Sequence, residues 1–214
     1  MSFEVYDYRT TNRNVLVTPE MRARLYHMKP GQVDGRHSHD LGHEVFLILE
    51  GQAEFNINGV KKVLGPGEMC IALADEIHQV RNLLPDKPTI MYLSVTPHVH
   101  PTHTGRNEDD SRKPPHFPPN SNYHVEQDMS IPVDGLLERY AAQVETLLST
   151  VEASTGTQLA MVRELRQARA DSDSESAAAA RYAMWEALYS IHKELSALDA
   201  VWNDLAPRAT EDTQ

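Results

Sequence analysis

The chain predicts a mainly β domain, closed as a barrel or double-sheet jelly roll, followed by a long helical hairpin. Short apolar or alternating runs from about Asn14 to Thr96, tight-turn signals between them, and a heptad-spaced apolar stripe near the C-terminus carry that prediction.

The candidate strands are Val15 to Val17, Arg24 to Met28, Glu44 to Leu49, Ala53 to Ile57, Val60 to Leu64, Met69 to Leu73, His78 to Arg81 and Thr89 to Val95. Asn58-Gly59 separates two of them and supplies the positive φ angles of a type I′ hairpin turn. Gly65-Pro66-Gly67 marks a second tight turn. About eight strands joined by hairpins suit a closed architecture that leaves little free sheet edge.

Seven of the thirteen prolines fall between Pro97 and Pro132. Proline lacks the N–H that a ladder needs, so this stretch reads as a linker or an arm over a surface. Its histidines, His98, His100, His103, His116 and His124, read as surface residues of an irregular segment, with a role over the barrel mouth as the alternative. Asp134 is the expected N-cap of the first helix, with Leu137, Ala141, Val144, Leu148 and Val151 as its apolar stripe. After the polar break Asp171 to Ser176, the residues Met184, Leu188, Ile191, Leu195, Leu198, Trp202 and Leu205 repeat at spacings of four and three. That is the seam of packed helices, so two long antiparallel helices are expected, packed on each other or on a second subunit as a homodimer or higher oligomer. The expected units are 1–97, 98–132 and 133–214.

Composition narrows the function classes. The formal charge of −11 argues against nucleic acid, because phosphate binding needs clustered Lys and Arg. Residues 1–100 carry ten Lys+Arg against twelve Asp+Glu, whereas 101–214 carry ten against nineteen, so the acidity is mainly a solvated helical surface. No apolar run is long enough to span a membrane, and the N-terminus MSFEVYDYRTTNR is too polar for a signal peptide. A cytoplasmic protein is expected. The single cysteine, Cys70, excludes an internal disulfide and reads as a buried structural thiol.

Chemistry concentrates in GQVDGRHSHDLGHEVFLILEG, residues 31–51, where His37, His39 and Glu44 precede an apolar run. Imidazole nitrogens and a carboxylate oxygen are good ligands for first-row divalent metals. Residues two apart on a strand share a face, so His37 and His39 both point inward if that segment is extended, and His78 arrives from a neighbouring strand. His43 adjoins Glu44 and faces the other way, which suits a hydrogen-bonding role rather than ligation. Positions that share the parity of Glu44, namely Phe46 and Ile48, with Val80 and Asn82 opposite, are expected to line an apolar pocket for a small organic substrate. Arg22, Arg24, Tyr26 and His27 lie on the preceding strand, where an arginine can clamp a carboxylate; solvent-exposed strand residues are the competing reading.

The spacing Gly31, His37, His39, Glu44, Gly51 resembles the first motif of the cupin superfamily, and Gly67, His78 and Asn82 resemble the second, with Leu73 and Asp75 replacing the usual proline and glycine of its turn. The resemblance spans about residues 14–96 and implies a cupin-type β-barrel, the double-stranded β-helix. It implies a metal centre of His37, His39, Glu44 and His78 holding a divalent transition metal, Fe(II) by preference over Mn, Ni, Zn or Cu. Glu44 is the candidate catalytic residue, shifting between ligand and proton acceptor, and Arg24, Tyr26, Phe46, Ile48 and Asn82 are the candidate substrate contacts. The implied activity is that of an oxygenase-type oxidoreductase acting on a small organic compound. A non-redox lyase, isomerase or epimerase and a non-catalytic small-molecule-binding cupin are the alternatives.

Overall fold

A computed structural model describes residues 3–209, which form two compact units, residues 3–128 with 206–209, and Met129–Leu205. The outermost residues of the expected units, 1–2 and 210–214, lie outside the described residues.

The first unit is a sandwich of two five-stranded antiparallel sheets. One contains β1 (Arg13–Thr18), β2 (Met21–Met28), β9 (Thr89–Thr96), β4 (His43–Glu50) and β7 (Met69–Ala72), in that spatial order. The other runs β10 (Thr104–Gly105), β3 (His37–Ser38), β8 (His78–Asn82), β5 (Ala53–Ile57) and β6 (Val60–Leu64). Eight of these strands fall where hydrophobic alternation places them. The additional two, β3 and β10, have two residues each and pair with one another, Thr104 opposite Ser38 and Gly105 opposite His37.

Alternation along β4 sends Glu44, Phe46 and Ile48 into the sandwich and leaves Val45, Leu47 and Leu49 half-buried outside. Phe46, Ile48, Phe55, Val80, Met91 and Leu93 form the centre of the core, each contributing about 1.5–3 kcal/mol by leaving water. Register builds rows across the inner face: Arg22, Val95, Glu44 and Ala72 in one, Arg24, Leu93, Phe46 and Cys70 in the next, Tyr26, Met91 and Ile48 in the third. Cys70 is half-buried, and burial pushes its thiol up to about 11, leaving it unreactive near neutral pH.

The Pro-rich stretch is not a separate linker: residues 98–128 belong to the same compact unit as the strands before them. Its β10 joins a sheet, and a single 3₁₀ turn at Asn120–Tyr123 follows. Proline excludes regular ladders over most of the stretch, yet a two-residue bridge and buried side chains suffice to fix it.

The second unit is a helical hairpin of α1 (Val133–Ala170) and α2 (Ser174–Leu205). Pro132 occupies the N-cap position of α1 and Asp134 lies inside the first turn, which corrects the expected cap. Asp134 still favours the start of the helix by facing the positive end of its dipole. Asp173 caps α2 by accepting from the amides of Glu175 and Ser176, both at 3.1 Å. The two helices meet through small and polar side chains. Ser154 Oγ donates to the Ala187 carbonyl at 3.1 Å, Gln158 Nε2 to the Met184 carbonyl at 2.8 Å and Gln143 Nε2 to Glu194 Oε2 at 2.7 Å. The heptad stripe is therefore not the hairpin's closed seam: Leu188 and Leu195 stay 42% and 41% exposed, and Leu148 on α1 57%. Among the described residues, no helix is long and apolar enough to cross a membrane.

Candidate metal centre

His37 on β3 stands directly opposite His78 on β8, so their rings face the interior side by side, 4.3 Å between centroids. His39 follows one residue after β3, and Glu44 arrives on β4 from the other sheet. The Nε2 atoms of His39, His78 and His37 lie 2.9, 3.0 and 3.8 Å from the same carboxylate oxygen, Glu44 Oε2. Four ligand atoms, one per residue, fall within 4.8 Å of one another, with His39, Glu44 and His78 buried and His37 partly so.

Hydrogen bonding at the far side of each ring fixes its protonation. His37 Nδ1 faces the Gly35 carbonyl at 2.8 Å, His78 Nδ1 the Glu76 carbonyl at 2.9 Å, and His39 Nδ1 the Thr102 carbonyl. A carbonyl only accepts, so each Nδ1 carries a proton and Nε2 is the nitrogen turned toward Glu44, a donor to the carboxylate when protonated and a lone pair for a metal when not. Three lone pairs and a carboxylate aimed at one point repel unless a cation sits among them. That donor set and its outer hydrogen bonds fit a divalent transition metal. Burial alone would raise Glu44, yet hydrogen bonds from His37, His39 and His78 outweigh it and hold the carboxyl well below its usual range. Burial pulls both rings down; in His39 it prevails over Glu44, aided by the charges of His37 and His78, whereas in His37 the Glu44 contacts, joined by the Gly35 carbonyl and Asp34, outweigh it and raise the ring.

The turn before His78 carries Leu73 and Asp75 where the motif it resembles usually has proline and glycine. Asp75, standing where a glycine is usual, takes φ = +64°, and its amide donates to the His39 carbonyl at 2.9 Å. Aspartate tolerates this left-handed region better than most residues. His43 is exposed on the outer face, where its Nδ1 accepts from the Ala74 amide at 2.9 Å.

The arm supplies what the sequence left as surface. Besides the Thr102 carbonyl behind His39, it places the His103 ring 4.8 Å from His39 and 4.9 Å from His37. Burial, aided by the Arg22 guanidinium, holds His103 well below its ordinary value. His98 and His100 are buried against Tyr123, and burial pushes His98 down to about 3. His116 and His124 are exposed, as expected, although His124 Nδ1 accepts from the Asn14 amide at 3.3 Å. The sequence clue to His103 was its place beside Thr104-Gly105, too short a strand to show periodicity.

Next to the histidines lies a cavity of about 460 Å³. Arg24, Tyr26 and Phe46 line it, together with Arg22, Val80 and His103. Ile48 and Asn82 do not. Ile48 is fully buried in the core, and Asn82 Nδ2 ties the carbonyls of Met28, Lys29 and Lys87 while its Oδ1 accepts from Leu84 and Thr89. His27 also lies elsewhere, its Nε2 2.6 Å from the Tyr8 carbonyl.

Comparison with known proteins bears on the same segment. Residues 24–96 match the family model of the cupin domain. Among solved structures, the chain is similar to a double-stranded β-helix protein of Klebsiella pneumoniae, with 25% identity over 45% of this chain and 91% of that one and a TM-score of 0.42. It is also similar to TT1209 of Thermus thermophilus, with 25% identity over 44% and 98% and a TM-score of 0.42. A third likeness is to KdgF of a Halomonas species, with 22% identity over 40% and 76% and a TM-score of 0.38. No match is found among curated proteins.

Proposed function

We propose, on the premise of the match of residues 24–96 to the cupin domain, that the chain is a metal-dependent enzyme, an oxygenase-type oxidoreductase acting on a small organic substrate. The observation that carries this reading is the convergence of three Nε2 atoms on Glu44 Oε2, each ring locked by a backbone carbonyl behind it. His37, His39, Glu44 and His78 would hold the metal, with Fe(II) favoured and Mn, Ni, Zn or Cu as alternatives. A bound ferrous ion supplies Lewis-acid and redox chemistry for the reaction of an organic compound with dioxygen.

The chain's own residues do the rest. Phe46, Val80, Met91 and Leu93 wall the cavity with apolar surface that excludes water and holds the body of the substrate. Glu44 is kept ionised by the three histidines around it, which suits it to bind a cation but makes it a weak base there, so its role as proton acceptor would require it to leave those rings as substrate enters. We read the chain as a cytoplasmic homo-oligomer, most simply a homodimer; the half-buried free thiol of Cys70 and the exposed helical stripe support that reading.

The test is metal analysis of the purified protein, followed by reconstitution with ferrous ion and measurement of dioxygen uptake over a set of small organic compounds. Bound first-row metal lost on replacing His78 by alanine, with substrate-dependent uptake, is the expected result. Absence of any first-row metal and of affinity for one overturns the scheme. Turnover without dioxygen, supported by zinc or nickel, gives the site to a lyase, isomerase or epimerase instead. A ligand recovered intact after aerobic incubation gives it to a binding protein.

A further inference from the structure

Arg22 and Arg24 are two residues apart on β2, share its inward face and both line the cavity beside the histidines. Arg22 is 3% exposed. The Nε of each guanidinium is buried without a hydrogen-bond partner. Among the described residues, neither arginine has a carboxylate within ion-pair distance. Arg22 has the face of Tyr123 at 5.4 Å and a long contact from Nη2 to His103 Nε2 at 3.4 Å. Arg24 stacks on the Tyr26 ring at 4.2 Å. Aromatic faces steady a guanidinium, but they do not neutralise it. A charge taken out of water and left unpaired is among the costliest arrangements a core can hold.

Nearby carboxylates do not fill the gap. Asp34 accepts from the Tyr26 hydroxyl at 3.1 Å and from Gln32 Nε2 at 2.7 Å, while the cavity's third arginine, Arg36, is ion-paired with Asp110. Glu44 stands in the same row as Arg22, each opposite Val95 on β9. One intervening strand separates them by roughly 10 Å of backbone. That span is too long for an ion pair and suits a ligand with an anionic group at one end and its reacting group at the other.

We propose that the cavity is an anion pocket for a small organic carboxylate, whose carboxylate pairs with Arg22 and Arg24 while its apolar body lies on Phe46, Val80 and Leu93. This deepens the proposed function and rests on it for the role of the far end, next to Glu44; the pairing with the arginines stands without it. A planar carboxylate accepts two parallel N–H bonds from a guanidinium fork, and the apolar wall opposite favours a hydrocarbon body over a fully hydrated anion.

The test uses the full chain, both chelator-treated and zinc-loaded, titrated by calorimetry and ligand-observed NMR with pyruvate, benzoate, benzamide and inorganic phosphate. The expected result is binding of at least one of the two carboxylates to the chelator-treated protein, at least tenfold weaker for Arg24→Gln and for Arg22→Gln. Where the bound carboxylate is benzoate, benzamide binds at least tenfold more weakly. Circular dichroism checks that each variant is folded, and Arg24→Gln carries the test if Arg22→Gln does not fold. The proposal is overturned if neither carboxylate binds, if benzamide matches benzoate, if phosphate binds more tightly than both carboxylates, or if a folded Arg24→Gln binds the carboxylate as well as the wild type. Carboxylate binding by a chain with no affinity for metal would sink the metal centre and leave the anion pocket standing. Zinc binding without carboxylate binding would do the reverse.

Discussion

The main-chain carbonyl of Thr102 accepts the Nδ1 proton of His39, across sixty-three residues of sequence. The bond makes the Pro-rich arm part of the candidate metal centre, because it fixes which nitrogen of His39 is free to bind and how the ring is turned. Outer hydrogen bonds of this kind commonly account for a 10–100-fold difference in metal affinity.

The arm is held at this point by Arg106, whose guanidinium donates to Ser38 Oγ beside His37. Replacing Arg106 by alanine is expected to loosen β10 from β3 and weaken zinc binding by about tenfold. Competition against a chromophoric chelator measures it. An unchanged affinity in a folded variant would show that the arm is dispensable to the centre.

Protonation should weaken the same region. Burial depresses His39, His98, His100 and His103, with His98 brought to about 3 from an ordinary 6.5. For groups so depressed, the unfolded chain binds protons that the folded chain refuses, so their contribution is present above about pH 6.5 and is lost as pH falls. Glu44, also depressed, adds to the loss below about pH 4.5, while the raised His37 opposes it. The urea midpoint of chelator-treated protein is therefore expected to drop between pH 7.5 and pH 5.5. A midpoint that is flat or rises over that interval would contradict the buried, neutral assignment of these rings.

Gly51 closes the first motif at φ = +84°, and a Cβ there would sit 2.9 Å from the Pro88 carbonyl oxygen. Both the left-handed backbone and the close approach exclude a side chain. Gly51→Ala is expected to cost about 2–4 kcal/mol, from backbone strain and overpacking together. Denaturant unfolding reads this directly, and a loss under about 1 kcal/mol would mean that the β4–β5 turn yields at little cost.

Resemblance to the two cupin motifs was what grouped His37, His39, Glu44 and His78 in the sequence; strand alternation alone left the arrival of His78 to an unspecified neighbouring strand. Alternation located β4, β5 and β6 closely. What stayed hidden depended on distant partners. The pairing of Gly105 with His37 leaves no period in a two-residue strand, so His103 could not be told from a surface histidine. Arg22 and Arg24 gain meaning only from the register that sets Arg22 in the row of Glu44. In the hairpin, the leucine repeat was legible, but which face of α2 meets α1 was not. The alanine, serine and glutamine face packs because small side chains let the helices approach and place backbone carbonyls within reach of Ser154 and Gln158.

That choice of face bears on assembly. Leu137, Leu148 and Leu159 on α1 and Tyr182, Trp185, Leu188 and Leu195 on α2 remain exposed by 41–64%. Large apolar side chains left in water on both helices cost transfer free energy that a second copy of the hairpin recovers by covering them. The full chain is therefore expected to be dimeric or larger by light scattering, and Leu188→Glu combined with Leu195→Glu to shift it to monomer without loss of helical circular dichroism. A wild-type chain that stays monomeric at tens of micromolar, or a double variant that keeps its mass, would remove the stripe as the interface.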